Sequence, residues 1–326
     1  MPADAKLDLI TLTDTPECAS ALLESARTLG FLYITFDGTE FTPENVSEMF
    51  GIAKEFFASP EDEKSTCPIS ADNKGWSGMH TETLDPATQK RGDFKQAMNF
   101  GEFLNGSPQQ PITPTLAPHI PTISRFSDMC ATLSRRLMRL FAEALEIEAS
   151  AGGAEYFTAS HTSSNGPSGS IMRLLYYPAT TPNYEKGVDI RAGAHSDYGS
   201  LTLLFQHQES GLEILSQGGW SPVPVVKDAI CVNIGDLLSY WTGGLLKSTV
   251  HRVVVPKGGE QRDRYSMAYF CHPVDTTLLE AIPSEQVKQR GQRGANEAEK
   301  AITAAEHLKG RLAATYGWKE KGAGQY

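Results

Sequence analysis

Ala194-His195-Ser196-Asp197-Tyr198-Gly199-Ser200-Leu201-Thr202-Leu203-Leu204-Phe205-Gln206 places a candidate metal-ligand pair at the head of a strand-forming run. In a β-strand, residues i and i+2 leave the same face, so His195 and Asp197 on one strand can converge on a single ion. The apolar run Leu201–Phe205 reads as a further strand. Downstream come Ser248-Thr249-Val250-His251-Arg252-Val253 and then Arg264-Tyr265-Ser266. A His-x-Asp pair with a distant His is the ligand set of the 2-His-1-carboxylate facial triad, which holds Fe(II) on one face and leaves the opposite positions open. His251 is expected on another strand of the same barrel. Arg264 and Ser266, again two apart, would present a guanidinium and a hydroxyl together, a pair that suits a carboxylate.

The order metal pair, metal His and carboxylate clamp is more specific than any one part. With it stand Asn233-Ile234-Gly235-Asp236, the run Arg264–Phe270, and, upstream, Gly75-Trp76-Ser77 and Gly92-Asp93-Phe94-Lys95-Gln96-Ala97. On these residues the sequence resembles the iron(II)/2-oxoglutarate-dependent dioxygenases, in the branch similar to isopenicillin N synthase and the plant flavonoid and gibberellin oxygenases. The likeness runs from about Leu7 to about Pro273. It implies a mainly β fold with flanking helices, built on a double-stranded β-helix (jelly-roll) core at 166–280. An N-terminal α/β region at 1–165 would pack on that core and a helical segment at 281–326 would close the chain, all in one structural unit.

The resemblance also implies a non-haem Fe(II) enzyme with His195, Asp197 and His251 as metal ligands. Its co-substrate, 2-oxoglutarate, would sit on Arg264, Ser266 and Tyr177, with O2 as oxidant and ascorbate as supporting reductant. A small-molecule metabolite would be oxidised, by default hydroxylated, with release of succinate and CO2. One position departs from the family pattern of Asn-x-Tyr on the first barrel strand. Here Leu175-Tyr176-Tyr177 keeps the Tyr but replaces the Asn by Leu175, which removes one polar contact to the co-substrate. Two alternatives stay open: an iron oxidase of the same fold that does not consume 2-oxoglutarate, and a non-catalytic binding protein on the same scaffold.

Composition agrees with a globular enzyme. The 326 residues are 40% hydrophobic and 21% charged, ample for a sizeable core. A formal charge of -10 argues against nucleic-acid or anionic-membrane partners, which favour a basic surface. The cysteines Cys18, Cys67, Cys130, Cys231 and Cys271 are scattered, with no Cys-x-x-Cys, so a reducing compartment is expected. No run of about 18 apolar residues occurs and Met1–Lys6 has no signal-like core, so the expected location is cytoplasmic. The sequence holds no glycine-rich nucleotide loop and no serine elbow, so nucleotide-cofactor and serine chemistry lack support.

Apolar spacing predicts helices at 17–29, 43–59 and 123–147, and helix formers with Leu308 and Leu312 as anchors near the end. Short strands are expected at 7–12, 31–36, 171–177, 201–205, 212–215, 223–226, 229–234, 237–241, 249–255 and 265–271. Residues 66–118 read as mostly loop. A rival metal pair, His80-Thr81-Glu82, lies in that loop and is assigned a place near the site entrance instead. Asn233-x-Gly-Asp236 reads first as a hairpin turn, and Arg252 as a structural ion-pair partner. His119, His161, His207, His272 and His307 lack partners at ligand spacing. Phe270, in parity with Arg264 and Ser266, is a candidate pocket wall, with Trp76, Phe94 and Phe100 as loop aromatics that could line or cover the pocket.

Overall fold

The computed structural model describes residues 3–179, 184–186, 188–256, 262–289 and 301–316. Its helices are α1 (Pro16–Thr28), α2 (Pro43–Ala58), α3 (Glu61–Lys64), α4 (Ile120–Ala144), α5 (Asp236–Trp241), α6 (Glu285–Gln289) and α7 (Ala304–Tyr316). The first four strands are β1 (Leu9–Ile10), β2 (Phe31–Thr35), β3 (Gly75–Ser77) and β4 (Gln96–Phe100). Then follow β5 (Ile171–Tyr177), β6 (Ala192–His195), β7 (Leu201–Gln206) and β8 (Leu212–Ser216). The last are β9 (Gly219–Pro222), β10 (Ala229–Ile234), β11 (His251–Val253) and β12 (Arg264–Cys271).

Local chemistry starts the helices where the sequence expects them. Thr15 caps α1 through its hydroxyl and Pro16 fills the first position, where a missing N–H costs nothing. Thr42 and Asn45 form a reciprocal capping box at the head of α2. In α4 the stripe Phe126, Leu133, Leu137 and Phe141 is buried at helical spacing, and its burial is worth roughly 1.5–3 kcal/mol for each large side chain.

The strands form two sheets. The major one has eight strands in the order β1-β2-β10-β7-β12-β5-β4-β3, and the minor one has four, β6-β11-β8-β9. Four strands of the major sheet (β5, β12, β7, β10) and the four of the minor sheet are the two halves of a jelly roll. The N-terminal region extends the major sheet on both edges, with β2 beside β10 and β4 beside β5.

Strand parity divides the apolar residues into two cores. Met172, Leu174, Met267, Tyr269 and Met98 face the helices in the large core. Leu175, Tyr177, Ala268 and Ala97, one residue out of step, face the barrel interior in a smaller cluster. That interior face is where the site lies.

Three expectations are corrected. Residues 237–241 form the helix α5, since Gly235 turns the chain out of β10 and Asp236 begins a helical turn. The strand expected at 223–226 lies earlier, as β9, because its hairpin with β8 pairs Ser216 with Gly219. The region 66–118 is mostly loop, as expected, and the short strands β3 and β4 inside it complete one edge of the major sheet. The turn expected at Asn233–Asp236 is instead the end of an interior strand, with Asn233 paired to both Phe31 and Thr202.

Candidate active site

His195 ends β6 and His251 begins β11, and antiparallel pairing sets the two residues directly opposite each other. Their ring centroids are 4.3 Å apart. Each Nδ1–H donates to the carbonyl two residues back, Gly193 O at 2.8 Å and Thr249 O at 3.1 Å. That fixes the tautomer and leaves both Nε2 lone pairs aimed into the barrel. Asp197 does not continue the strand, as same-face spacing would have it; it lies in the turn beyond β6. It reaches the same point because its carbonyl accepts the Asp236 N–H at 2.7 Å.

The Asp197 carboxylate is held by Thr202 Oγ1 at 2.6 Å and Asn233 Nδ2 at 2.7 Å, both on Oδ2. Oδ1 faces the imidazoles, 3.8 Å from His195 Nε2 and 3.6 Å from His251 Nε2. All three donor atoms fall within 4.8 Å of one another. Burial raises the Asp197 carboxyl, but His251, His195 and the two hydrogen bonds outweigh it and hold the group below its ordinary range. His195 is pushed down to about 3, by burial first and by His251 second, so its ring is neutral. Two bare imidazole nitrogens and one carboxylate oxygen facing one point are a donor set that fits Fe(II).

The facing strands β5 and β12 supply the next wall. Their register pairs Arg264 with Tyr177, Ser266 with Leu175, Ala268 with Arg173 and Phe270 with Ile171. Arg264, 1% exposed, donates to Ser266 Oγ at 3.2 Å and lies 4.9 Å from the Tyr177 ring centre. Gln206 Oε1 accepts a further bond at 3.4 Å, while Arg264 Nε has no partner. No carboxylate pairs with this guanidinium among the described residues, and burial lowers its pKa. A second buried cation, Arg191, acts on Arg264 and is held by the carbonyls of Pro178 and Arg262.

Leu175, at the family's Asn position, lies in the same cavity, which holds about 560 Å³ including its opening to solvent. Its lining joins His195, Asp197 and His251 to Arg264, Ser266, Tyr177 and Phe270. Arg173 and Lys95 also line it. Arg173 donates to Asn99 Oδ1 at 2.6 Å and straddles Glu82 with bonds of 3.1 and 3.3 Å. Lys95 pairs with Glu82 at 2.9 Å and with Asp93. Burial works against the Lys95 ammonium, but Asp93 and then Glu82 outweigh it and keep it charged. Asp93 also accepts the Gly193 N–H at 3.0 Å, tying this cluster to the strand that carries His195. A side chain at Gly193 would collide with Gln89, whose Oε1 would lie 2.3 Å from its Cβ.

α7 flanks the outer side of the site, where Leu308 and Leu312 line a pocket beside Tyr198, Phe270 and His272. Arg311 pairs with Asp236 at 2.7 Å, and Asp236 accepts from Ser196 and Ser248, so one carboxylate ties α7 to both metal-bearing segments.

Three of the aromatic candidates lie away from the cavity, and that expectation is corrected. Phe100 shares the parity of Met98 and is fully buried on the helix side, near Phe103. Phe94 is wedged between His80 and Tyr184, and Trp76 bonds Gln96 through its Nε1. His80 turns away from Glu82 onto Gly92 O, so the two do not form a ligand pair. Arg252 makes the expected ion pair, with Glu213 at 2.7 Å. Thr202 and Asn233 lie in stretches that the resemblance covers, but the sequence does not show that they orient Asp197. Only the β7–β10 register brings them together.

Residues 168–273 match the model of the 2OG-Fe(II) oxygenase superfamily, and residues 5–120 match that of the non-haem dioxygenase in morphine synthesis N-terminal region. A proline hydroxylase of Petromyces alliaceus is 31% identical over 303 residues, covering 84% of this chain and 86% of that one. The chain belongs to the 2OG-Fe(II) oxygenase superfamily. A 2-oxoglutarate-Fe(II) type oxidoreductase of Metarhizium rileyi is 28% identical, with 92% of this chain and 86% of that one covered. A full-length Neurospora crassa protein, crystallised with alpha-KG and thymine, superposes with a TM-score of 0.78 at 30% identity. That likeness covers 94% of this chain and 96% of the other. The protein is therefore a 2-oxoglutarate-dependent oxygenase of iron, with the jelly-roll core of that family.

Proposed function

We propose that this oxygenase hydroxylates a small metabolite. His195, Asp197 and His251 serve as its iron ligands, and Arg264, Ser266 and Tyr177 seat the far carboxylate of 2-oxoglutarate. The observation that supports this reading is that one cavity holds both a His, His, carboxylate donor set and a buried arginine with no carboxylate partner among the described residues. Iron and 2-oxoglutarate together supply the oxidation: one atom of O2 goes to the substrate and the other to succinate, with loss of CO2.

The chain's own residues prepare that chemistry. The carbonyls of Gly193 and Thr249 keep each histidine's proton on Nδ1, away from the metal side. Thr202 and Asn233 occupy one carboxylate oxygen of Asp197 and so point the other at the ion. Arg264 offers a planar fork to a carboxylate, and Ser266 adds an acceptor and donor beside it. Leu175, Leu204, Val253 and Ala268 keep the intervening space apolar, which excludes water and strengthens every charge interaction inside it. Leu175 contributes shape to the co-substrate seat where an amide would contribute a hydrogen bond.

The proline hydroxylase and the thymine-bound structure both concern compact nitrogen-containing rings. Phe270 in the wall of the cavity offers an apolar face to a planar ring of that kind. A reducing, cytoplasmic setting accords with five cysteines that are all unpaired and buried.

The test needs no knowledge of the substrate. Purified enzyme with Fe(II), ascorbate, O2 and 2-oxoglutarate labelled at its 1-carboxylate is expected to release labelled CO2 slowly even when alone. Oxygen uptake without labelled CO2, triggered by a carboxylate-bearing metabolite, would replace this reading with that of an oxidase independent of 2-oxoglutarate.

A further inference from the structure

Arg173 and Arg264 project into one cavity from paired strands. The pairing of Ala268 with Arg173 sets the two arginines four residues apart, roughly 13 Å along the strand direction. Their surroundings differ in charge. Arg264 has no carboxylate partner among the described residues, and Arg191 adds a second positive charge near it. Arg173 is matched by Glu82, and the neighbouring Lys95 is matched by Glu82 and Asp93. Two cations and two carboxylates, each at most 8% exposed, leave this end with no net charge.

We propose that Glu82, with Asp93, neutralises the substrate end of the cavity, so that the enzyme selects an uncharged substrate bearing a hydrogen-bond acceptor and rejects carboxylate analogues. The acceptor chemistry that fits is the carbonyl of an amide, imide or lactam. This rests on the reading above for the place of 2-oxoglutarate at Arg264.

The physical argument is one of desolvation. A carboxylate entering a buried cavity loses its hydration, and only an unmatched cation within reach can compensate it. At Arg264 such a cation exists. At Arg173 the guanidinium already forks onto Glu82, so an incoming anion would meet a like charge behind the donors. A neutral carbonyl has a far smaller hydration to replace and needs only an N–H. Lys95 can provide one, since its ammonium has three N–H groups and its two carboxylate partners engage two of them. Phe270, 5.5 Å from the Arg173 guanidinium, gives a planar substrate an apolar face beside that donor. Glu82 is thus a positioning residue, which acts on substrate through the cations it holds.

The experiment uses anaerobic enzyme loaded with Fe(II) and 2-oxoglutarate, so that Arg264 is occupied. Matched amide and acid probes (benzamide and benzoate, nicotinamide and nicotinate, thymine and uracil-5-carboxylate) are titrated by calorimetry. In the wild type the neutral member of a binding pair is expected to be favoured by about tenfold or more, the size of an uncompensated charge-assisted contact. Glu82→Gln leaves the cluster with a net positive charge and should raise the acid affinities by about tenfold or more. Glu82→Asp, which keeps the charge, should hold the wild-type ratio. If Glu82→Gln does not fold, Lys95→Met tips the cluster negative and should lower the acid affinities further.

Acids binding the wild type as tightly as their amides would overturn the proposal. So would acid affinities, zero included, that stay unchanged in Glu82→Gln. Because these are binding ratios, they stand apart from CO2 release by the wild type, whose absence would overturn the functional reading instead.

Discussion

The two ends of the cavity are built from the same pair of strands and the same residue type, yet they present opposite electrostatics. At the Arg264 end a guanidinium is buried without a carboxylate partner among the described residues, and burial pulls its pKa down. At the Arg173 end a buried guanidinium is paired with Glu82, and Lys95 beside it is held charged by Asp93 and Glu82. An unpaired buried charge is costly unless a ligand completes it, which makes the first end a receptor for an anion. A paired charge is already satisfied, which makes the second end a rigid wall with donors. Sequence spacing finds the first kind of site, whereas the second depends on a loop that folds over from 82 to 95.

The largest effect should come from the metal ligands that share the cavity with both ends. His195→Ala, Asp197→Ala and His251→Ala are each expected to abolish turnover and bound iron while leaving the far-ultraviolet dichroism unchanged. Full activity in any one of them would remove that residue from the ligand set. Next in size is the clamp. Arg264→Lys keeps the charge but loses the fork, and should weaken 2-oxoglutarate binding by about ten- to a hundredfold. Arg173→Lys should change that constant far less. Equal losses in the two variants, read by anaerobic titration of the metal-to-ligand absorption band, would erase the distinction between the ends.

The last effect is on stability, not on the site's chemistry, and concerns a neutral histidine packed behind the site. His161 is buried, bonded to Phe157 O at 2.7 Å and Ser200 Oγ at 2.8 Å, and burial lowers its pKa from 6.5 to about 4. Below pH 6.5 the unfolded chain binds a proton there that the folded chain refuses, so stability falls as pH falls toward 4. The loss approaches about 1.4 kcal/mol per pH unit for this group, and stops growing once the folded form is also protonated. Denaturant midpoints between pH 7 and pH 4 should show a shallower fall in His161→Gln than in the wild type, and an identical slope would assign the acid sensitivity elsewhere.

Much of the site could be read from sequence because its parts obey local rules. Alternation along 264–270 puts Arg264, Ser266 and Phe270 on one face, and they do share the cavity. Phe100 defeated the same style of reasoning, because alternation says that two faces differ but not which one looks inward. Met98 and Phe100 took the helix side, and Ala97 took the barrel side. Leu237–Trp241 likewise has strand-like composition but follows a glycine that breaks away from β10 into a short helix.

By itself the sequence determined the ligand types, the spacing of the clamp, the helical stripes and the alternation that yields a jelly roll, since each is a property of neighbours within a few residues. The tertiary structure alone decided that Asn233 meets Thr202 and Asp197, that Glu82 pairs with Arg173 and Lys95, and that α7 flanks the site through Arg311 and Asp236. These contacts join residues 13 to 91 positions apart in the chain. Which partners meet over such distances is set by strand register and loop closure throughout the molecule, and no local pattern encodes it.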